Sequence, residues 1–104
     1  MRLPWYPVLV HGPSMAPTLR HGDVLLVRRT SKVRPGDVVV ARFRTRPGLL
    51  VVKRAVRPDG DGWWLRGDNE LVADDSRAYG PADGYGRVVF RLWPRPGRVT
   101  SRPR

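Results

Sequence analysis

Two stretches of this chain read alike. They are Gly22-Asp23-Val24-Leu25-Leu26-Val27-Arg28 and Gly36-Asp37-Val38-Val39-Val40-Ala41-Arg42. In each, a Gly-Asp turn feeds directly into aliphatic and β-branched residues, which is the signature of a strand entered from a tight turn. A third run, Leu49 to Val56, follows Pro47-Gly48. With 11 Pro and 11 Gly in 104 residues, the apolar runs are cut too short for an amphipathic helix. The chain is therefore expected to be mostly β, a small curved antiparallel sheet or incomplete barrel. The Gly-Asp unit stops after two copies, so it is not a solenoid repeat.

The remaining elements follow from the same punctuation. Trp5 to His11 reads as a short strand after a Pro-rich entry. Residues 12–22 form a corner, with one helical turn at most over 16–20. Pro58-Asp59-Gly60-Asp61-Gly62 is a hairpin turn, and Trp63 to Arg66 is its return strand. Residues 70–84 read as an ordered loop and Tyr85 to Trp93 as the last strand. Each aliphatic run is apolar at consecutive positions, which predicts strands buried on both faces or lying in a tight barrel-like core. Residues 1–94 are expected to form one domain, and 95–104 a disordered basic tail rich in Pro and Arg.

The net charge of +11 comes almost entirely from Arg, because Lys32 and Lys53 are the only lysines. Such a charge attracts polyanions: nucleic acid, an anionic membrane or an acidic protein. There is no Cys, hence no disulfide and no thiolate metal site. No apolar run approaches the roughly 20 residues of a membrane span, and nothing resembles a signal peptide. The sequence thus predicts a cytoplasmic protein, with peripheral contact to anionic membranes compatible with its charge.

Chemistry can reside in few places. Ser14 sits on a corner stiffened by Pro13 and Pro17. A Ser hydroxyl becomes a nucleophile only when a base takes its proton, and a Lys can be that base. Lys53 lies within the apolar run, sharing a strand face with Leu49, Val51 and Ala55. Burial disfavours an ammonium in general, and an amine so placed can serve as general base. The backbone N–H groups of Ser14 and Gly12 could then receive an oxyanion. Other readings stay open. His11 and His21 bracket the corner but are ordinary turn or edge histidines unless a distant partner is found. Asp68, Asp74 and Asp75 suit a carboxylate cluster or plain turns, and Asp75 with Arg77 can staple the loop. Trp5-Tyr6 and Trp63-Trp64, with the basic charge, keep a nucleic-acid-binding β module as a rival. No metal site and no cofactor is expected.

Several segments together resemble the type I signal peptidase family. They are Gly12-Pro13-Ser14-Met15-Ala16-Pro17-Thr18-Leu19, the two Gly-Asp strands, Val52-Lys53-Arg54-Ala55-Val56, Gly67-Asp68-Asn69, Asp75-Ser76-Arg77-Ala78-Tyr79-Gly80, and a closing strand that ends in Trp93-Pro94. The resemblance runs from about residue 8 to 94 and implies a Ser-Lys dyad peptidase. Ser14 would be the nucleophile and Lys53 the general base. Met15 would abut the site, and the box Gly67, Asp68, Asn69, Asp75, Ser76 and Arg77 would support the Lys strand. Against the family pattern, neither a membrane anchor nor an inserted second domain is expected. The chain has Ala73 where many members carry a Ser that orients the Lys, leaving Ser76 as the substitute hydroxyl. Within the family it is similar to the proteases that mature nickel-containing superoxide dismutase. That likeness implies removal of an N-terminal propeptide from that precursor; the alternative is a signal-peptidase-like enzyme acting on exported preproteins. Either way the partner is a protein substrate, and nucleic acid is not expected as one.

Overall fold

The computed structural model describes residues 3–100. Seven strands and one short helix follow in order: β1 (Trp5–Leu9), β2 (Val24–Arg29), β3 (Val38–Phe43), β4 (Arg46–Asp59), β5 (Gly62–Arg66), α1 (Ser76–Tyr79), β6 (Ala82–Trp93) and β7 (Gly97–Arg98). The sheet runs β1-β2-β6-β3-β4-β5, with β7 added to β6. β5 also pairs back onto β6 through Trp63 and Ala82. Strands β6, β3, β4 and β5 thereby close a partial ring, and β2 and β1 extend from it as a flange. Every pairing is antiparallel. The expected mostly β, incompletely closed sheet is what the chain adopts. Among the described residues, no helix is long and apolar enough to cross a membrane.

The two Gly-Asp turns have one construction. Asp23 and Asp37 each accept a hydrogen bond from the N–H three residues earlier, Arg20 at 2.9 Å and Arg34 at 3.0 Å. Each Asp returns a backbone bond to the same residue. Gly22 and Gly36 take φ of 92° and 94°, a region that Gly enters without steric cost. Both carboxylates are buried, so the turns are fixed from inside, and the strand after each one starts at a defined point.

The core has two parts. Val10, Met15, Leu19, Leu25, Val27, Val38, Val40 and Val88 form one, and Val39, Ala41, Phe43, Ala55, Leu65 and Ala82 the other. Alternate residues of β3 enter opposite parts, so this strand is buried on both faces, as its unbroken apolar run predicts. β2 differs. Leu25 and Val27 are fully buried while Val24 and Leu26 are half-buried, because the flange packs one face only.

Three local expectations change. Pro47-Gly48 is not a turn; the chain turns at Arg44-Thr45, and Pro47-Gly48 falls inside β4. The register explains why. Phe43 pairs with Arg46 but Arg42 pairs with Leu50, so residues 47–49 bulge out of the ladder, where a Pro needs no donor. The loop over 70–84 contains α1, capped by the Asp75 carboxylate, which accepts from the Arg77 N–H. The expected disorder of 95–104 does not extend through Thr100. Gly97 and Arg98 pair with Arg91 and Phe90, Val99 N–H donates to Val89 at 3.0 Å, and Val99 packs on the first core. The free edge of β6 captures this segment. Residues 101–104 of the tail lie outside the described residues.

Candidate active site

The nucleophile corner is built from both ends of its loop. Val10 N–H donates to Asp23, Gly22 N–H to Val10, and Leu19 N–H to Met15. The side chains of Met15 and Leu19 are buried in the first core, which pins the loop from below. Gly12 has φ of 83°, and its N–H donates to Nδ1 of His21 at 3.0 Å. His21 is thus an acceptor that fixes the entry to the corner. This also removes Gly12 from the expected oxyanion donors. Among the described residues, no protein acceptor is found for the N–H of Ser14 or of Met15.

The box at Gly67 docks onto this corner. Asn69 N–H donates to the Ser14 carbonyl at 2.9 Å, and the Asn69 side-chain amide donates to Pro13 at 3.0 Å. A Cβ on Gly67 would stand 2.5 Å from the Ser14 carbonyl oxygen, so only Gly permits this approach. Asp68 turns the other way. Its two oxygens take Nε and Nη2 of Arg54 at 3.1 and 2.6 Å, and it accepts from the Thr18 hydroxyl at 2.5 Å. Arg54 also donates to the carbonyls of Gly36 and Thr100 at 2.9 and 3.1 Å. One fully buried guanidinium therefore ties the Ser14 loop, the β2–β3 turn, the box and the last described residue together.

Asp75 and Ser76 lie beneath, fully buried. Asp75 accepts from the Gly67 N–H at 3.0 Å and pairs with Arg77 at 2.9 Å, the staple that the sequence suggests. Burial alone would raise its carboxyl pKa. The Arg77 guanidinium and the N–H groups of Gly67 and Arg77 outweigh that and hold it below the usual carboxylate range. The Ser76 hydroxyl is 2.7 Å from the Leu65 N–H, which donates to it. Its recorded partner is thus the backbone of β5, not Lys53.

Lys53 reaches into a cleft of about 500 Å³ that Ser14 also lines. The walls are Pro7 to Val10 of β1 and its exit on one side and Leu49 to Val52 of β4 on the other. Gly12, Pro13, Ser14 and Met15 lie at one end, and His11 and Asp74 complete the lining. The Lys53 side chain is 4% exposed, and its Nζ is 3.2 Å from Oδ1 of Asp74, which is itself 58% exposed. The sequence missed this partner. The three loop carboxylates do not cluster, since Asp68 goes to Arg54, Asp74 to Lys53 and Asp75 to Arg77. Among the described residues, no group of three His, Asp or Glu could hold a metal ion. The arrangement presents a hydroxyl and a nearly buried amine to one apolar-walled groove.

The aromatic pairs are committed elsewhere. Arg28 lies over Trp5, Arg29 over Tyr6 and Arg57 over Trp64, and Trp63 packs on the second core. These Arg residues cover ring faces that stacked bases would need.

Residues 4–89 match the Peptidase S24-like family. Mitochondrial inner membrane protease subunit 1 of Xenopus tropicalis is 33% identical, across 84% of this chain and 68% of its own length. The human protein of the same name is 30% identical, across 84% and 69%. Mitochondrial ATP-independent inner membrane protease subunit 1a of Arabidopsis thaliana is 34% identical, across 82% and 68%. With the match covering the corner, the Lys strand and the box, the chain belongs to the Peptidase S24-like family.

Proposed function

We propose that the protein is a serine endopeptidase that removes N-terminal leader segments from protein substrates, with Ser14 as nucleophile and Lys53 as general base. The observation that carries this reading is the shared cleft, in which residues far apart in sequence present a hydroxyl and an amine between apolar walls. Lys53 in its uncharged form takes the Ser14 proton as Oγ attacks the scissile carbonyl carbon. The N–H groups of Ser14 and Met15, without a protein acceptor among the described residues, are the backbone donors offered to the resulting oxyanion. When the intermediate collapses, the C–N bond breaks and the Lys53 ammonium returns its proton to the leaving amine. Water then attacks the acyl-enzyme as Lys53 takes its proton, and collapse of the second intermediate breaks the Oγ–acyl bond, the Lys53 ammonium giving the proton back to the Ser14 Oγ.

The walls suit an extended segment with apolar side chains on either side of the bond cut. The curated relatives are named as inner membrane proteases, which supports the reading of a signal-peptidase-like enzyme. They give no support to a nickel superoxide dismutase precursor as substrate, nor to a cytoplasmic location. Leu9, Leu49 and Leu50 remain 50%, 43% and 42% exposed along the cleft, and the chain carries a charge of +11. Both features suit peripheral contact with an anionic membrane where leaders emerge.

The test is cleavage of preproteins by the purified protein. Ser14→Ala and Lys53→Met are each expected to lower kcat/KM at least about a thousandfold while remaining folded. An acylating serine-directed probe should label Ser14 in the wild type and fail to label it in Lys53→Met. Full cleavage by Lys53→Met sinks the dyad.

A further inference from the structure

We propose that Asp74 is a positioning residue for Lys53. Its carboxylate holds the Lys53 head group in the cleft and accepts the hydrogen bond of the ammonium that forms when Lys53 takes the Ser14 proton. The inference rests on the Ser14–Lys53 reading and adds to it a group outside the two reacting residues. The geometry is direct: Nζ to Oδ1 is 3.2 Å, and the lysine is nearly buried while the aspartate is mostly exposed. The stem of Lys53 lies on a strand whose neighbour offers only Val39 opposite it. A buried ammonium without an acceptor is costly, so the head group needs a partner, and Asp74 is the one in reach.

The other charged groups around Lys53 are turned elsewhere. Asp68 is taken by Arg54 and Thr18, and Asp75 by Arg77 and the Gly67 N–H. Arg66 of β5 stands opposite Arg54, not Lys53. Of the residues lining the cleft, the titratable ones are His11, Lys53 and Asp74, and His11 lies edge-on to His21. Asp74 is thus the carboxylate that meets Lys53. Being exposed, it can also swing out when a peptide enters the groove. The carboxylate accepts from the ammonium as it forms, so its interaction with Lys53 strengthens as the proton is transferred.

Asp74→Asn tests this, because it keeps shape and removes charge at an exposed site. In preprotein cleavage the acid limb of kcat/KM is expected to move to lower pH, because removing a neighbouring negative charge disfavours an ammonium. The plateau kcat should fall about tenfold, with KM within about twofold of wild type. Asp74→Glu should restore much of the plateau. A second readout needs no turnover: the rate at which acetic anhydride acetylates Lys53, followed by mass spectrometry against pH. In Ser14→Ala/Asp74→Asn that rate profile should lie at lower pH than in Ser14→Ala. An Asp74→Asn enzyme with the wild-type pH profile and kcat, or an acetylation profile that does not move, overturns the inference. If Lys53→Met is inactive and Asp74→Asn matches wild type, only the role of Asp74 falls. If Lys53→Met cleaves normally, the dyad falls and takes this role with it.

Discussion

Lys53 and Arg54 are adjacent on β4, both cationic and both removed from solvent, yet the protein holds them in opposite ways. Arg54 is closed in by Asp68 and by the carbonyls of Gly36 and Thr100, with no exposure on either side of its ion pair. Lys53 has one acceptor at the edge of a cleft, and that acceptor is open to water. Strand alternation sends the two side chains to opposite faces. One face receives a rigid planar fork that several segments lock onto, and the other a flexible amine free to gain and lose a proton. The difference teaches how so small a protein separates its tie-point from its chemistry. Burial alone does not distinguish them, but the number and exposure of the partners does.

The largest effects should break the comparison outright. Arg54→Met strands the Asp68 carboxylate in the interior, a change that typically costs about 3–5 kcal/mol. Its urea midpoint should fall far below that of Lys53→Met, whose lost partner is satisfied by water. Adding Asp68→Asn to Arg54→Met should recover part of the loss. Equal midpoints for Arg54→Met and Lys53→Met would mean that Arg54 is not the tie-point.

Gly67→Ala probes the joint between the two faces. Its Cβ would meet the Ser14 carbonyl oxygen at 2.5 Å, so the corner or the box must give way. A shift of about 1 Å in the nucleophile is expected to lower kcat about a hundredfold. The accompanying stability loss should be about 1–3 kcal/mol, typical of overpacking. Activity and urea titration on the same preparation separate the two effects.

The smallest effect concerns acid. The Asp75 carboxyl is held below its usual value, so the folded state binds its proton less readily than the unfolded chain does. Its stabilising contribution is complete above the unfolded value of about 3.9 and is lost as pH falls from there through the folded value. Asp75→Asn should therefore flatten the acid side of the stability curve, seen in thermal scans from neutral pH downward. An unchanged slope would remove Asp75 from the acid response.

Much of this was legible in the residues. The strands announced themselves because their apolar runs are long relative to the turns between them, and Gly22-Asp23 and Gly36-Asp37 marked two starting points. The features that escaped are those with no side-chain pattern. β7 is Gly97-Arg98, recruited by a free strand edge rather than by any hydrophobic signal. Pro47-Gly48 looks like a turn, because nothing local says that the opposing strand leaves a bulge for it. Asp68 and Asp75 were placed in the box and Asp74 was left without a role, since which cation each carboxylate meets is decided by strands far away. His21 looked like an idle turn residue for the same reason. Lys53 was singled out by its place inside an aliphatic run, whereas nothing local said that Arg54 beside it would be buried as well.

β6 is the strand on which the whole sheet depends. It pairs with β2, β3, β5 and β7, and Trp93 meets Val24 across most of the chain. Its partners β2 and β3 are separated from it by long stretches of sequence, a topology of high contact order that slows folding. A nascent chain can form the β3–β4 and β4–β5 hairpins early, but their ring and the β1–β2 flange stay unjoined until residues 82–93 have left the ribosome. Until then the apolar edges of β2 and β3 are exposed together, and that interval is when the protein is most vulnerable to aggregation.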